Sequence, residues 1–245
     1  MAKKSQIVLC IPTSLSSRQA ITSALVDKYG TDYLFLGRLL RSNVDQQSCT
    51  IDICDRDSSL VHNFALMGQN KIDVATLADI EQHQKIIYLT STETNYENCR
   101  LLAKLGQIFL RTSGLGIKVD SAGIAHNSEK WLANYNSDDV FDVYSLYVVL
   151  VEGDEQYYSC GMQNFGKADV AVSLIEDVGM AIYLMNVFNY YRLTESPILQ
   201  DGHIFRPDIQ SPSYSMNWSD DMEHESDSQL YNSHGRWHLS VSKNK

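Results

Sequence analysis

The sequence lacks the short motifs that identify common cofactor and metal sites. It contains neither G-x-G-x-x-G nor G-x-x-x-x-G-K-[ST], so neither a dinucleotide-binding turn nor a P-loop is expected. The cysteines are five in number, with no C-x-x-C pair: Cys10, Cys49, Cys54, Cys99 and Cys160. Scattered cysteines in odd number are typical of reduced, buried thiols rather than of a disulfide framework or a zinc site. We therefore expect neither a cofactor nor a bound metal.

Long apolar runs and an excess of positive charge are also absent. No stretch approaches the roughly 18 apolar residues that span a bilayer, and the opening MAKKSQIVLC has a basic pair without the apolar segment of a signal peptide. We expect a cytoplasmic protein with no membrane partner. The 20 basic and 30 acidic residues give a formal net charge of −10. Such a charge repels nucleic-acid phosphates and makes a basic protein the more natural partner.

The patterning of the 245 residues predicts an α+β fold. We expect a mixed or antiparallel sheet with helices packed on one face, divided into two sub-domains, 1–136 and 137–245. The first sub-domain has the predicted order β-α-β-β-α-β-α-β. Its strands include QIVLCIP, stopped by Pro12, and DYLFLGRLL as one strand. Thr94 and Glu97 form a predicted capping box for the helix that follows them.

The second sub-domain begins with a predicted β-hairpin. VYSLYVVLVEGDEQYYSCGM contains two strands that meet at the turn Gly153-Asp154. Ser173 and Glu176 then form a predicted capping box, and the helix after them should lie on the hairpin. The face of that helix is predicted to contain Val178, Ile182, Met185, Phe188 and Tyr191. HIFRP and WHLSV, further along, are predicted as short edge strands.

The stretch YYSCGMQNFGKADV presents Cys160 as a possible nucleophile. A reactive thiolate needs a helix N-terminus, a histidine or a cation nearby, and here Lys167 is the nearest positive charge in sequence. Gly161 and Gly166 can adopt positive φ and reverse the chain. We therefore interpret Cys160 as a small core residue beside a glycine turn.

The stretch VDSAGIAHNSEKW gathers an acid, a hydroxyl and a base in Asp120, Ser121 and His126. A catalytic triad requires convergence in space, which neighbouring positions in a loop do not supply, and the nucleophile elbow G-x-S-x-G is absent. Asn127 or Ser128 is better interpreted as the N-cap of a short helix. The alternative is a hydrolase that uses Cys160 or Ser121 with His126.

The last third of the chain combines aromatic and acidic residues, which form good contact surfaces for a basic protein. We predict that the contacts are Trp218, Tyr214, Asp220, Asp221 and Glu223. The acidic run SDDMEHESDS lacks the ligand spacing of an EF-hand loop, and we interpret it as a solvated loop. Three histidines could converge with it: His203, His234 and His238.

Three stretches give the chain a resemblance to a bacterial family known as domain of unknown function 4261. They are GLGIKVDSAGIAHNSEKW, YYSCGMQNFGKADV, and DGHIF following the helix GMAIYLMNVFNYY. The resemblance covers about residues 101–205 and implies an α+β fold and a bacterial, cytoplasmic origin. It implies no activity, cofactor or catalytic residue.

Taken together, these features predict a cytosolic, protein-binding module without catalytic activity. The form we expect is an immunity protein that neutralises a secreted toxin by direct binding, with a basic toxin domain as the partner. Two alternatives stay open: the hydrolase described above, and a regulatory or stress-related module, for which the sequence offers no distinguishing feature.

Overall fold

The chain forms an α+β structure with two open sheets, which confirms the predicted fold class. The computed structural model describes residues 5–174 and 177–242. None of the helices in those two ranges is long and apolar enough to cross a membrane. The helices are α1 (Arg18–Tyr29), α2 (Leu60–Met67), α3 (Val74–Glu81), α4 (Tyr96–Leu110), α5 (Ser128–Asn134), α6 (Val140–Tyr147) and α7 (Val178–Thr194).

The first sheet has seven strands, and its described pairings are all antiparallel. The interior strand β1 is buried along its whole length. In spatial order the strands are β2 (Tyr33–Leu36), β3 (Leu39–Ser42), β4 (Ser48–Asp55), β5 (Lys85–Ser91), β1 (Ile7–Thr13), β6 (Ile117–Val119) and β7 (Ile124–His126).

The second sheet has six strands and is mixed, because β10 and β13 run parallel while its other described pairings are antiparallel. Helix α7 packs on one face and forms a core with Val170, Val172 and Leu239. The spatial order is β11 (Ile204–Phe205), β12 (Tyr214–Ser219), β13 (Arg236–Val241), β10 (Asp169–Ser173), β9 (Gln156–Cys160) and β8 (Val149–Glu152).

Helices cover both faces of the first sheet, rather than the one face that was predicted. On one face, Leu9 and Ile11 pack with residues of α1 and α4. On the other, Cys10 and Ile86 pack with residues of α2 and α3. Successive side chains of a strand point to opposite faces, so a fully buried interior strand such as β1 requires a cover on each side.

The main core crosses the predicted boundary at residue 136. The 3-10 turn Met162–Phe165 belongs to the second half of the chain, yet Met162 and Phe165 pack into the core of the first sheet. Tyr147 of α6 joins them, with its ring 5.9 Å from that of Phe165. The two sheets are therefore joined by shared apolar packing, and residues 137–165 connect them.

Several predicted element boundaries in the first half differ from the structure. DYLFLGRLL is a hairpin of two strands, β2 and β3, with Gly37 at φ +65° in the turn. Pro12 does not stop β1, which continues to Thr13. The strand still pairs with β5 there, and on the opposite side the carbonyl oxygen of Pro12 accepts a hydrogen bond from Leu115 N. The N-cap of α4 is Asn95, whose side chain accepts a hydrogen bond from Asn98 N, and not Thr94.

In the second half, the hairpin at Gly153 is confirmed as β8 and β9, but VYSLY before it is helical and belongs to α6. WHLSV lies in β13, which is an interior strand between β12 and β10 rather than an edge strand. The predicted capping residue Glu176 lies outside the described residues, and the side chain of Asp177 caps α7.

Helix α7 lies on the second sheet as predicted, but its buried face is rotated. Met185 and Phe188 are buried, whereas Val178 is 50% exposed and Ile182 is 43% exposed. The buried stripe contains Ala181, Leu184, Met185, Phe188, Asn189 and Arg192. It therefore includes polar side chains that apolar periodicity does not detect.

Candidate functional site

Cys160 is the last residue of β9 and lies in a small apolar cluster with Val149, Tyr158 and Ala171. Only 3% of its surface is exposed. Burial raises the pKa of the thiol well above its ordinary value, and the carboxylates of Asp169 and Asp221 raise it further. Since the thiolate is the reactive form, Cys160 is held in its unreactive form at neutral pH.

The glycines that follow Cys160 bend the chain back into the core. Gly161 has φ +121° and Gly166 has φ +66°, both of which favour glycine. A Cβ on Gly161 would lie 2.1 Å from the carbonyl oxygen of Tyr147, so the backbones approach too closely for any side chain. The turn therefore serves to insert Met162 and Phe165 into the main core.

Ser121 is held inside the protein by hydrogen bonds that leave no free hydroxyl. Its Oγ donates to Oδ1 of Asn164 at 2.7 Å and accepts from the backbone N–H of Val8 at 3.3 Å. The residue is 2% exposed. Its role in this arrangement is to anchor the turn after Cys160 to strand β1.

His126 lies on strand β7 and is 7% exposed. Its Nε2 is 3.1 Å from the carbonyl oxygen of Leu146, which can only accept, so the ring proton is on Nε2. Burial lowers the pKa of His126 to about 4, and the positive charges of Lys130 and Lys71 contribute. The imidazole is therefore neutral at pH 7.

These three groups do not form a catalytic arrangement. Within the described residues, no hydrogen bond joins Cys160, Ser121 and His126, and each has a separate environment. Asp120, the acid of the same stretch, is 2.6 Å from Lys118 Nζ instead. The N-cap prediction for this stretch is confirmed: Asn127 accepts from Lys130 N and begins α5.

Two of the five predicted contact residues are buried and cannot contact a partner directly. Tyr214 is fully buried in the core beneath α7. Asp221 is 5% exposed and accepts hydrogen bonds from Arg236 Nη2, His224 Nδ1 and the backbone N–H of Asn232, each at 3.0 Å. Asp221 therefore holds the loop between β12 and β13 in place instead of facing outwards.

The charge of Asp221 is stabilised where it lies. Its burial alone would raise the pKa, but the hydrogen bonds from His224 and Asn232 and the positive charge of Arg236 outweigh that effect and lower it. The pair is closed to solvent, with the Arg236 side chain 2% exposed and the Asp221 side chain 1% exposed.

The other three predicted contact residues are accessible. Trp218 is 44% exposed, and its Nε1 donates to the carbonyl oxygen of His234 at 2.9 Å, which fixes the ring position. Asp220 and Glu223 are exposed as well. Gln156 Nε2 donates to Glu223 Oε1 at 2.8 Å, so the β8–β9 hairpin lies beside this loop.

The structure adds residues that sequence reasoning missed. Arg236 and Asn232 hold the loop from inside, and Asn232 also donates to Asp169 Oδ2 at 2.7 Å. Burial raises the pKa of Asp169 despite that bond. One signal in the sequence pointed to this ion pair: Arg236 is the first residue of the strand RWHLSV. An arginine in a core strand is rarely buried without a charged or hydrogen-bonded partner.

No group of three or more histidine, cysteine, aspartate or glutamate side chains in the part of the chain that the structure describes is placed to hold a metal ion. Of the three histidines that could have converged on the acidic run, His238 instead contacts Ser219, with 2.8 Å between its Nε2 and Ser219 Oγ.

No protein-family model matches this chain, and the searches of curated proteins and of solved structures likewise found no match. The resemblance to domain of unknown function 4261 therefore stays a prediction.

Proposed function

We propose that this chain is a protein-binding module without catalytic activity, which captures a basic protein through one acidic surface. We call this surface the acidic end. It joins the tip of the β8–β9 hairpin to the loop after β12, which the Gln156–Glu223 hydrogen bond holds together. Its exposed members are Glu152, Asp154, Glu155, Trp218, Asp220, Met222, Glu223, Glu225 and Asp227.

The observation that carries this proposal is the buried support beneath the acidic end. Asp221 accepts four hydrogen bonds, the three already described and one from Glu223 N at 3.1 Å, so a loop without helix or strand is fixed to β13. A surface ordered before binding loses less conformational entropy when the partner arrives. The exposed acids are thus presented in a fixed arrangement.

The acidic end combines two kinds of contact that favour binding to a basic protein. Its carboxylates add to a net charge of −10, and complementary charge speeds association. Trp218 and Met222 are 44% and 84% exposed and supply apolar area, and aromatic side chains and methionine are enriched in protein interfaces. Charge would govern capture, and the apolar side chains would slow release.

The partner that we propose is a basic toxin domain, which the chain would neutralise by covering it. This part of the proposal is supported by the sign of the charge and by the absence of an assembled catalytic group at Cys160, Ser121 and His126 in the described residues. It is tested separately from binding itself.

Binding is tested with a charge-reversed variant, Asp220→Lys with Glu225→Lys, whose side chains make no hydrogen bond or ion pair within the described residues. The matched control is Asp27→Lys with Asp79→Lys, also exposed and similarly unpaired, in the first half of the chain. Both double variants change the formal charge from −10 to −6, since each reversal adds two. Wild type and both variants are immobilised and exposed to extract of the native host.

We expect wild type and control to enrich the same basic protein, identified by mass spectrometry. The charge-reversed variant should bind the purified protein with an association rate about tenfold lower at low salt. Equal rates for the two double variants, or enrichment of no basic protein, would refute binding at the acidic end. If the captured protein does not arrest growth when expressed without this chain, the immunity role falls while binding stands.

A further inference from the structure

A large groove lies where the two halves of the chain meet. Its walls are the connection between α2 and α3, the start of α5, and the facing sides of α6 and α7, with β7 and β8 at its base. The volume is about 760 Å³, within the range of about 300–1,000 Å³ that small-molecule sites occupy. We call it the junction groove.

Positive charge dominates one part of the junction groove. Lys71, from the α2–α3 connection, and Lys130, from α5, both line it, and neither is in an ion pair within the described residues. Lys71 Nζ has only an amide partner, Gln69 Oε1 at 3.3 Å. Glu129 is the one acidic side chain among the lining residues. Two ammonium groups without an acidic partner in the described residues favour an anionic ligand.

His126 supplies a fixed acceptor in the same part of the groove. Its Nε2 is occupied by the Leu146 carbonyl, while Nδ1 makes no hydrogen bond with the described residues. The residue is 7% exposed and is one of the residues that line the junction groove. Nδ1 is not among the buried polar atoms of the described residues that lack a partner, so it is open to the groove and can accept a hydrogen bond from a hydroxyl or N–H donor of a ligand.

Apolar side chains form the rest of the wall. Phe141 of α6 is 40% exposed and Ile182 of α7 is 43% exposed, although both are large and apolar. Leu150 of β8 also lines the groove. Exposed apolar side chains from separate elements that meet in one concavity are typical of a ligand site. Ile182 faces this groove instead of the core of the second sheet.

We propose that the junction groove binds a small amphipathic hydroxycarboxylate, such as a medium-chain 3-hydroxy fatty acid. The carboxylate lies between Lys71 and Lys130, the neighbouring hydroxyl donates to Nδ1 of His126, and the alkyl chain lies along Phe141 and Ile182. The three chemical parts of the groove correspond to the three parts of this ligand. The site shares no residue with the acidic end, so either proposal can fail alone.

The proposal is tested by isothermal titration calorimetry with 3-hydroxyoctanoate, octanoate, octanol and octylammonium. We expect saturable binding of the hydroxy acid, weaker binding of octanoate because it lacks the hydroxyl, and about tenfold weaker binding of octanol because it lacks the charge. Octylammonium should not bind. Equal affinity for octanol and the hydroxy acid would show an apolar patch only and would overturn the proposal, as would no saturable heat with any of the four.

Variants locate the site. Lys71→Gln with Lys130→Gln should weaken 3-hydroxyoctanoate binding at least about tenfold, because charged hydrogen bonds are lost. Lys104→Gln, on α4 and outside the groove, is the control and should bind like wild type. Both lysines of the groove are exposed, so the double variant should keep its melting temperature. Equal weakening in the control would refute the assignment. So would ¹⁵N chemical shifts of His126 that do not move when the hydroxy acid binds.

Discussion

Replacing Gly161 by alanine tests the close packing of the turn after Cys160. The added methyl group would lie 2.1 Å from the carbonyl oxygen of Tyr147 and 2.9 Å from the Cβ of Ala122. The first neighbour is backbone, so no side-chain rotation can relieve the contact. Relief requires that the turn or α6 moves, and both are part of the main core.

The expected cost has two parts. Alanine at φ +121° is strained, at about 1–3 kcal/mol. Crowding against fixed backbone adds about 1–3 kcal/mol, as for overpacked cores. Gly37→Ala is the matched control: Gly37 also has positive φ, +65°, but no atom would lie within 4 Å of its new Cβ. The control therefore carries strain without crowding.

The assay is urea unfolding followed by circular dichroism, with the free energy of unfolding extrapolated to water for wild type and both variants. We expect Gly161→Ala to be less stable than Gly37→Ala by at least about 1–3 kcal/mol, from the crowding and from the greater strain of alanine at φ +121° than at φ +65°. If the two variants agree within about 0.5 kcal/mol, the usual error of such comparisons, the close approach has no energetic weight and the reasoning fails.

Three further predictions concern titratable groups. In the native protein at pH 7, iodoacetamide should modify exposed Cys54 and leave buried Cys160 intact, as peptide mass spectrometry would show; fast modification of Cys160 would contradict its burial. Asp221→Asn should lower the free energy of unfolding by about 3 kcal/mol, the lower end of the range for breaking a buried ion pair. The lower end applies because Arg236 still has an acidic partner, Glu223, with 3.4 Å between Arg236 Nη1 and Glu223 Oε1. The pKa of Asp221 is lower in the folded protein than its unfolded value of about 3.9. The stability that this carboxylate contributes is therefore present above about pH 3.9 and is lost as the pH falls through the folded pKa. The Asn variant should lose less stability in acid than wild type, and an equal loss would refute this. By NMR, His126 should titrate near pH 4, and a midpoint above about pH 6 would contradict its burial. Because the folded pKa lies below the unfolded value of about 6.5, the stability of the protein should fall as the pH drops from about 6.5 towards 4.

Periodicity predicts most of the elements, and capping chemistry predicts the start of α5, because local preference and packing agree there. The apolar stripe of α4, Leu101, Leu105 and Ile108, recurs at helical spacing and is buried. Asn127 caps α5 as expected. At such positions, the sequence pattern and the environment in the fold favour the same structure.

Helix α6 was missed because its residues favour strands. Val143, Tyr144 and Tyr147 have high β propensity and precede a true strand. In the fold they pack into the main core, and this packing overrides the propensity. A local signal did exist: Asp139, at the N-cap, accepts a hydrogen bond from Phe141 N.

The candidate site was only partly predictable, because two adjacent residues of the same type differ in their burial. Asp220 is exposed and Asp221 is buried, and no local pattern distinguishes them. The distinction comes from Arg236, 15 residues further along, whose side chain meets Asp221. Such long-range pairing depends on the arrangement of β12 and β13, which the sequence does not reveal locally.

The position of β13 has a consequence for synthesis on the ribosome. This strand follows the other five strands of its sheet in chain order, yet it lies between β10 and β12. Until Val241 has left the exit tunnel, β10 has one edge without its neighbour. A growing chain that stalls before this point would display an open strand edge that other nascent chains could pair with.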